Sequence, residues 1–112
     1  MNKLITVAVI DSGIYPHIDF KNRIVAFKDF VNGRKNAYDD CGHGTHVSGI
    51  IAGSGYASHG RIRGICPSAC LAGIKVLDRL GNGRIENVLD AAGWIISHQK
   101  DLNIRVVNIR SE

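Results

Sequence analysis

The feature that most constrains the fold is an alternation of short, apolar, β-branched segments with segments of helical periodicity. Residues 4–10 are almost all apolar, which predicts a strand buried on both faces of a parallel sheet. By the same pattern analysis, strands are expected at residues 24–30, 71–76 and 104–109, and helices at residues 44–52 and from residue 85 onward. Alternating strands and helices form right-handed βαβ units. The sequence therefore predicts an α/β fold, a doubly wound parallel sheet with reactive groups at the carboxyl ends of its strands.

Length and charge exclude several classes of protein. The 112 residues suffice for one domain, and no apolar run approaches the ~20 residues that cross a bilayer, so no membrane span is expected. The net charge is +4, but Lys and Arg are scattered, and the densest pair, Arg61 and Arg63, has no aromatic residue between its members. We therefore expect no nucleic-acid partner.

Cysteine content and the chain ends lead to two further expectations. Cys41, Cys66 and Cys70 cannot all pair within one chain, and the first residues lack a signal-peptide pattern, so reduced thiols and a cytoplasmic location are expected. Residues 105–109 have the composition of a buried strand, and only three residues follow them. We therefore expect residues 1–112 to be part of a larger domain, or the product of a gene cut short.

Two polar motifs stand at predicted strand and helix ends. Asp11-Ser12-Gly13 directly follows the first strand, and residues 42–49, Gly-His-Gly-Thr-His-Val-Ser-Gly, open the first helix. These motifs resemble the aspartate and histidine signatures of the subtilisin-like serine proteases, the subtilases. The resemblance extends over most of the chain, through Asp19-Phe20 and residues 64–69, 75–77, 81–83 and 106–108. It implies an incomplete doubly wound parallel sheet of the subtilisin type, with residues 1–112 as the amino-terminal portion of a subtilase catalytic domain.

The resemblance assigns catalytic roles to Asp11 and His43. In a Ser-His-Asp triad the carboxylate fixes the imidazole tautomer, and the imidazole takes the proton of the nucleophile. Asp11 ends a buried strand, where its carboxylate is held in place, and His43 corresponds to the general base. His46 corresponds to a structural residue behind the site. The implied function is serine endopeptidase, which acts on peptide or protein substrates.

The nucleophile signature of the family, a Gly-Thr-Ser run that opens a long helix, does not occur in the 112 residues. The family's oxyanion asparagine is absent as well, and such donors are each worth several kcal/mol in a transition state. We therefore expect the chain by itself to be inactive. A truncated relic that acts only by contact remains an alternative.

The resemblance also implies a substrate cleft. Gly81, Asn82 and Gly83 match one of the two segments between which the family binds its peptide as an added strand, and small residues suit that approach. An ordinary turn is the alternative for these residues. The second segment would follow Asn108, where this chain departs from the family and has Ile-Arg-Ser-Glu.

Asp19 matches a family position that often ligates a structural calcium ion. Carboxylate oxygens suit calcium, but the loop at residues 54–64, which should supply other ligands, has no Asp or Glu. We therefore take calcium at Asp19 as a possibility and expect no other cofactor. Asp39 and Asp40, just before His43, are expected to be solvated loop charges.

A small zinc-binding module is an alternative hypothesis, from a different class of protein than the proteases. Cys41, His43 and His46, with Cys66 and Cys70, have the ligand types that zinc prefers, but no Cys-x-x-Cys pair occurs. Three buried or half-buried free thiols are the simpler interpretation. Cys41 also stands two residues from the presumed base, where its thiolate would be stabilised.

Overall fold

The computed structural model describes residues 4–109 of the chain. It contains a four-stranded parallel sheet in the order β2-β3-β1-β4. The strands are β1 (Thr6–Asp11), β2 (Ile24–Asp29), β3 (Cys70–Lys75) and β4 (Ile104–Ile109), and the helices are α1 (His43–Ala52) and α2 (Ile85–His98). Two one-turn 3-10 helices lie at Lys21–Arg23 and Tyr56–Ser58. Every predicted element is present, with bounds that shift by no more than two residues where a bound was predicted.

The sheet is covered on both faces, as the doubly wound prediction requires. β1 is buried along its whole length because alternate side chains point into two separate cores. Ala8 and Ile10 pack on the side of α2, whereas Val7 and Val9 pack on the side of α1. The sheet thus separates the two helices, and β1 lies at its centre.

The topology brings the two polar motifs together. After β1 the chain builds β2 and β3 on one side of β1, and then crosses to place β4 on the other side. β1 is therefore the strand at which the strand order reverses, and binding crevices lie at the carboxyl ends of such strands. Asp11 is the last residue of β1, and His43 is the first residue of α1.

One prediction about burial is wrong. Residues 105–109 were expected to be buried, but in β4 only Ile104 is buried, and Val106, Val107 and Ile109 are each about half exposed. Within residues 4–109, β4 is an edge strand that pairs with β1 alone. An apolar composition shows only that a segment is suited to burial. Whether the segment is buried depends on whether another element packs against it.

Candidate active site

Asp11 is a buried carboxylate held at the end of β1. Its residue is 1% exposed, and its Oδ1 accepts a hydrogen bond from the backbone N–H of Ser12 at 2.7 Å. Its carbonyl oxygen accepts from the N–H groups of Val76 at 2.9 Å and Leu77 at 3.2 Å, just beyond β3. The strand end and the side chain are thus both fixed by the sheet.

His43 faces this carboxylate from the first position of α1. The imidazole Nδ1 lies 2.8 Å from Asp11 Oδ2 and 3.0 Å from Oδ1, so an Nδ1–H donates to both oxygens. The histidine side chain is 40% exposed, whereas that of Asp11 is 1% exposed. This contact fixes one imidazole tautomer and leaves Nε2 as the basic nitrogen.

Two glycines allow the motifs to come this close. Gly13 has φ +119°, and a Cβ there would lie 2.2 Å from the carbonyl oxygen of Tyr38. A Cβ on Gly44 would lie 2.2 Å from the carbonyl oxygen of Gly13. Backbone therefore packs on backbone between the turn after Asp11 and the first turn of α1.

Of the two acidic residues before His43, Asp39 is not the solvated charge that the sequence predicted, whereas Asp40 is exposed but forms an ion pair. Asp39 is half-buried, and its carboxylate accepts hydrogen bonds from Ser12, Gly42 and Thr45 among others. Asp40 is paired at 2.7 Å with the ammonium group of Lys75. Asp39 thus supplies to the start of α1 the side-chain acceptor that Gly42, at the N-cap position, lacks.

Lys75 is a fully buried cation beside the Asp11 turn. Its Nζ donates to the carbonyl oxygens of Ser12 and Leu77, each at 2.7 Å, besides its ion pair with Asp40. It also lies opposite Asp11 in the register of β1 and β3. A buried ammonium with three acceptors is fully satisfied, and it holds the loop before His43 against the strand end.

Gly81, Asn82 and Gly83 form a closed turn after β3. The N–H groups of Asn82 and Leu80 donate to Asp78 Oδ1 at 3.0 and 2.9 Å, and Gly83 pairs antiparallel with Leu77. These hydrogen bonds lower the pKa of the Asp78 carboxyl. A groove of about 460 Å³ lies against this turn and is lined by Leu77, Gly81, Asn82, Gly83, Arg84, Ile85 and Val88. The predicted second wall lies after Asn108, and residues 110–112 are outside the described residues.

Calcium is the metal that the family resemblance implies at Asp19. Its Oδ1 accepts from the N–H of Ala57 at 2.8 Å, and its carbonyl oxygen accepts from Arg23 Nη2 at 2.7 Å. The Arg23 guanidinium also donates to the carbonyl oxygens of Ala52 and Ala69. The arginine side chain keeps its positive charge at any ordinary pH, and carbonyl oxygens that accept hydrogen bonds from it do not fit a calcium site. Calcium at Asp19 stays a prediction, and the Arg23 contacts argue against it.

The cysteines do not assemble as zinc ligands in the described part of the chain. No group of three or more His, Cys, Asp or Glu side chains converges within residues 4–109. Cys41 and Cys66 are exposed, and only Cys70 is half-buried, so the expectation of three buried or half-buried thiols is wrong. His46 is exposed and lines a groove of about 610 Å³ that neither Asp11 nor His43 lines.

Comparison with known proteins decides the family. The sequence of residues 2–109 matches the subtilase family. The chain belongs to the subtilase family. It is 44% identical to serine protease AprX of Bacillus subtilis over 109 residues, which are 97% of this chain and 25% of that protein. It is 40% identical to subtilisin E of Bacillus subtilis over 100 residues, which are 88% of this chain and 25% of that protein.

Solved structures of subtilases agree with the fold. The crystal structure of a cold-adapted subtilisin-like serine proteinase matches this subtilase chain with a TM-score of 0.72 at 34% identity, over 83% of this chain and 32% of that one. The α/β fold is thus confirmed as that of an incomplete subtilisin sheet. The chain spans about a quarter of the length of AprX and of subtilisin E. Neither helix described here has the length and apolar character needed to cross a membrane.

Proposed function

We propose that this chain supplies the acid–base half of a serine endopeptidase. The observation that supports the proposal is the contact of His43 Nδ1 with the buried Asp11 carboxylate at 2.8 Å. Asp11 orients the imidazole and stabilises the imidazolium that forms. His43 Nε2 takes the proton of a serine hydroxyl as that oxygen attacks the peptide carbonyl, and then gives the proton to the departing amine. The acyl-enzyme is hydrolysed by water in the same way.

The nucleophilic serine and its oxyanion donors come from outside the 112 residues in this proposal. A chain that holds the base without the nucleophile does not hydrolyse peptides. The turn at Gly81, Asn82 and Gly83 forms one wall of the cleft, and the groove beside it holds a substrate side chain. The substrates are therefore extended segments of peptides or proteins.

A chimera tests this function. Residues 2–109 replace the matching segment of AprX of Bacillus subtilis, to which they are 44% identical. The chimera is expected to hydrolyse a chromogenic peptide amide. His43→Ala is expected to lower kcat by about 10⁶-fold, because it removes the base, and Asp11→Asn by about 10⁴-fold, because it removes the carboxylate that orients the base. His59→Asn, at an exposed histidine with φ 55°, is the matched control and leaves kcat unchanged.

Two results contradict the proposal. Activity of the His43→Ala chimera within tenfold of the parent excludes His43 as the base. Labelling of the isolated 112-residue chain by a fluorophosphonate shows that it holds its own reactive serine, which the proposal denies.

A further inference from the structure

The end of α1 that carries His43 is capped by side chains from outside the helix. Gly42 stands at the N-cap position and has no side chain to offer. The N–H of Gly44 instead donates to Ser12 Oγ at 2.9 Å, and the N–H of Thr45 donates to Asp39 Oδ2 at 2.8 Å. The amides of a first helical turn have no partner within the helix, so these bonds determine where the helix begins.

The Asp39 carboxylate accepts most of the hydrogen bonds at the start of α1. Its Oδ1 accepts from the Ser12 hydroxyl at 2.8 Å and from the N–H groups of Gly42 and Cys41 at 2.8 and 3.1 Å. Its Oδ2 accepts from the Thr45 hydroxyl at 2.6 Å besides the Thr45 N–H. A single side chain thus joins the turn after Asp11 to the first turn of the helix that carries His43.

Asp39 holds these donors as an anion. Partial burial raises the pKa of its carboxyl, but the hydrogen bonds from Thr45, Gly42 and Ser12 lower it by more, so the pKa lies below its usual value. On the other side of the same turn, the buried Lys75 ammonium holds the Ser12 carbonyl oxygen. Charge-assisted hydrogen bonds of this kind are stronger than neutral ones.

We propose that Asp39 is a positioning residue that sets the distance between His43 and Asp11. Its carboxylate bonds Ser12, Cys41, Gly42 and Thr45 rather than the imidazole of His43, and it acts by fixing the start of α1 on the turn that follows Asp11. The inference rests on the proposed function, in which the Asp11–His43 hydrogen bond is the working contact. Without Asp39 the first turn of α1 loses its anchor, and His43 moves away from the carboxylate.

Nuclear magnetic resonance of the 112-residue chain tests this role. A low-field Nδ1–H proton, assigned by its loss in His43→Gln, reports the hydrogen bond to Asp11. In Asp39→Asn the side-chain NH2 group faces backbone N–H donors in either orientation, those of Cys41 and Gly42 or that of Thr45. We therefore expect this proton to disappear and the Gly44 and Thr45 amides to exchange at least about tenfold faster. Asp40→Asn removes the same charge from the next residue, still accepts from Lys75, and is expected to keep the low-field proton.

The outcomes separate this inference from the proposed function. If the unsubstituted chain shows no His43 low-field proton, the Asp11–His43 pair does not form, and the proposed function fails. If that proton persists unchanged in Asp39→Asn, the positioning role is overturned while the pair stands. Should Asp39→Asn fail to fold, Ser12→Ala removes only the link between Asp39 and Gly44. Loss of the low-field proton in a folded Ser12→Ala chain supports the role, and an unchanged proton overturns it.

Discussion

At residue 44 the fold has no room for a side chain. A Cβ there would lie 2.2 Å from the carbonyl oxygen of Gly13, and this backbone atom cannot rotate away as a long side chain would. A Cβ on Gly93, in the middle of α2, would have no heavy atom of another part of the protein within 4 Å. The two helical glycines thus differ in their surroundings and serve as a matched pair.

We expect Gly44→Ala to lower the free energy of unfolding by about 1–3 kcal/mol, because the new methyl group forces α1 away from the turn after Asp11. Gly93→Ala is expected to raise it by about 0.5–1 kcal/mol, because alanine is the better helix former and its methyl group meets open space. Urea denaturation followed by circular dichroism measures both values. Equal effects of the two substitutions would exclude the packing account.

The sequence predicted the residues of the Asp11–His43 pair but not those that hold it. Asp11 and His43 were identified from local motifs, which need only neighbouring residues. The hydrogen bond of Ser12 to Asp39 joins positions that are 27 residues apart, and it exists only because the Gly13 turn meets the chain at Tyr38 and Asp39. No local pattern contains that meeting, so Asp39 was misread as a solvated charge.

At the scale of elements, Arg23 ties three segments to one another. Its guanidinium donates hydrogen bonds to three carbonyl oxygens: those of Asp19, of Ala52 at the end of α1, and of Ala69 before β3. A cation at the carboxyl end of a helix is favourable because the last carbonyl groups there lack partners. The loop at residues 54–64 starts and ends beside this guanidinium, since Gly64 donates to the carbonyl oxygen of Gly53.

Arg23→Met is therefore expected to lower the free energy of unfolding by about 2 kcal/mol, because it leaves partly buried carbonyl oxygens unpaired. Added calcium is not expected to restore that stability, and a chelator is not expected to lower the melting temperature of the unsubstituted chain. Thermal denaturation measures the effect of Arg23→Met, of added calcium and of a chelator. Arg79→Met, at an exposed arginine, is the control. A rise in melting temperature with calcium would instead support the metal site at Asp19.

Periodicity predicted the elements well, and it failed only on burial. The apolar spacing of α2 and the β-branched runs are local properties, so the element bounds followed from them. The exposure of Val106, Val107 and Ile109 depends on which neighbours cover β4, and composition does not contain that information.

For the whole molecule, two hydrogen-bonded carboxylates, those of Asp29 and Asp39, make the free energy of unfolding depend on pH. Burial raises the pKa of Asp29, but hydrogen bonds from Tyr38 and from the N–H groups of Asn32, Val31 and Arg34 lower it by more. Asp39 has the same sign of shift. A pKa that is lower in the folded chain means that the stabilisation is present above the unfolded pKa, near pH 4, and is lost as the pH falls through the folded value.

The free energy of unfolding contributed by these groups is thus expected to be constant from pH 7 to pH 5 and to fall below about pH 4. Asp29→Asn lowers stability at pH 7 by about 2 kcal/mol, and this difference shrinks as the pH falls below about 4, because the unfolded chain then binds a proton that the folded Asp29, with its lowered pKa, binds less readily. Urea denaturation at a series of pH values measures the difference. Asp90→Asn, at an exposed position on α2, is the control, and a difference that stays constant down to pH 3 would contradict the assignment.

The residues that hydrogen-bond to the Asp11–His43 pair and its surrounding turn are synthesised in a fixed order, which follows their order in the sequence. Every partner named for this pair, from Ser12 and Asp39 to Val76 and Leu77, precedes α2 and β4 in the chain. A ribosome that builds the chain from its amino terminus has therefore made all these partners before it reaches the last helix and strand. The order of the chain thus makes every hydrogen-bond partner of Asp11 and His43 available before the residues of α2 and β4 that cover the Ala8 and Ile10 side of β1.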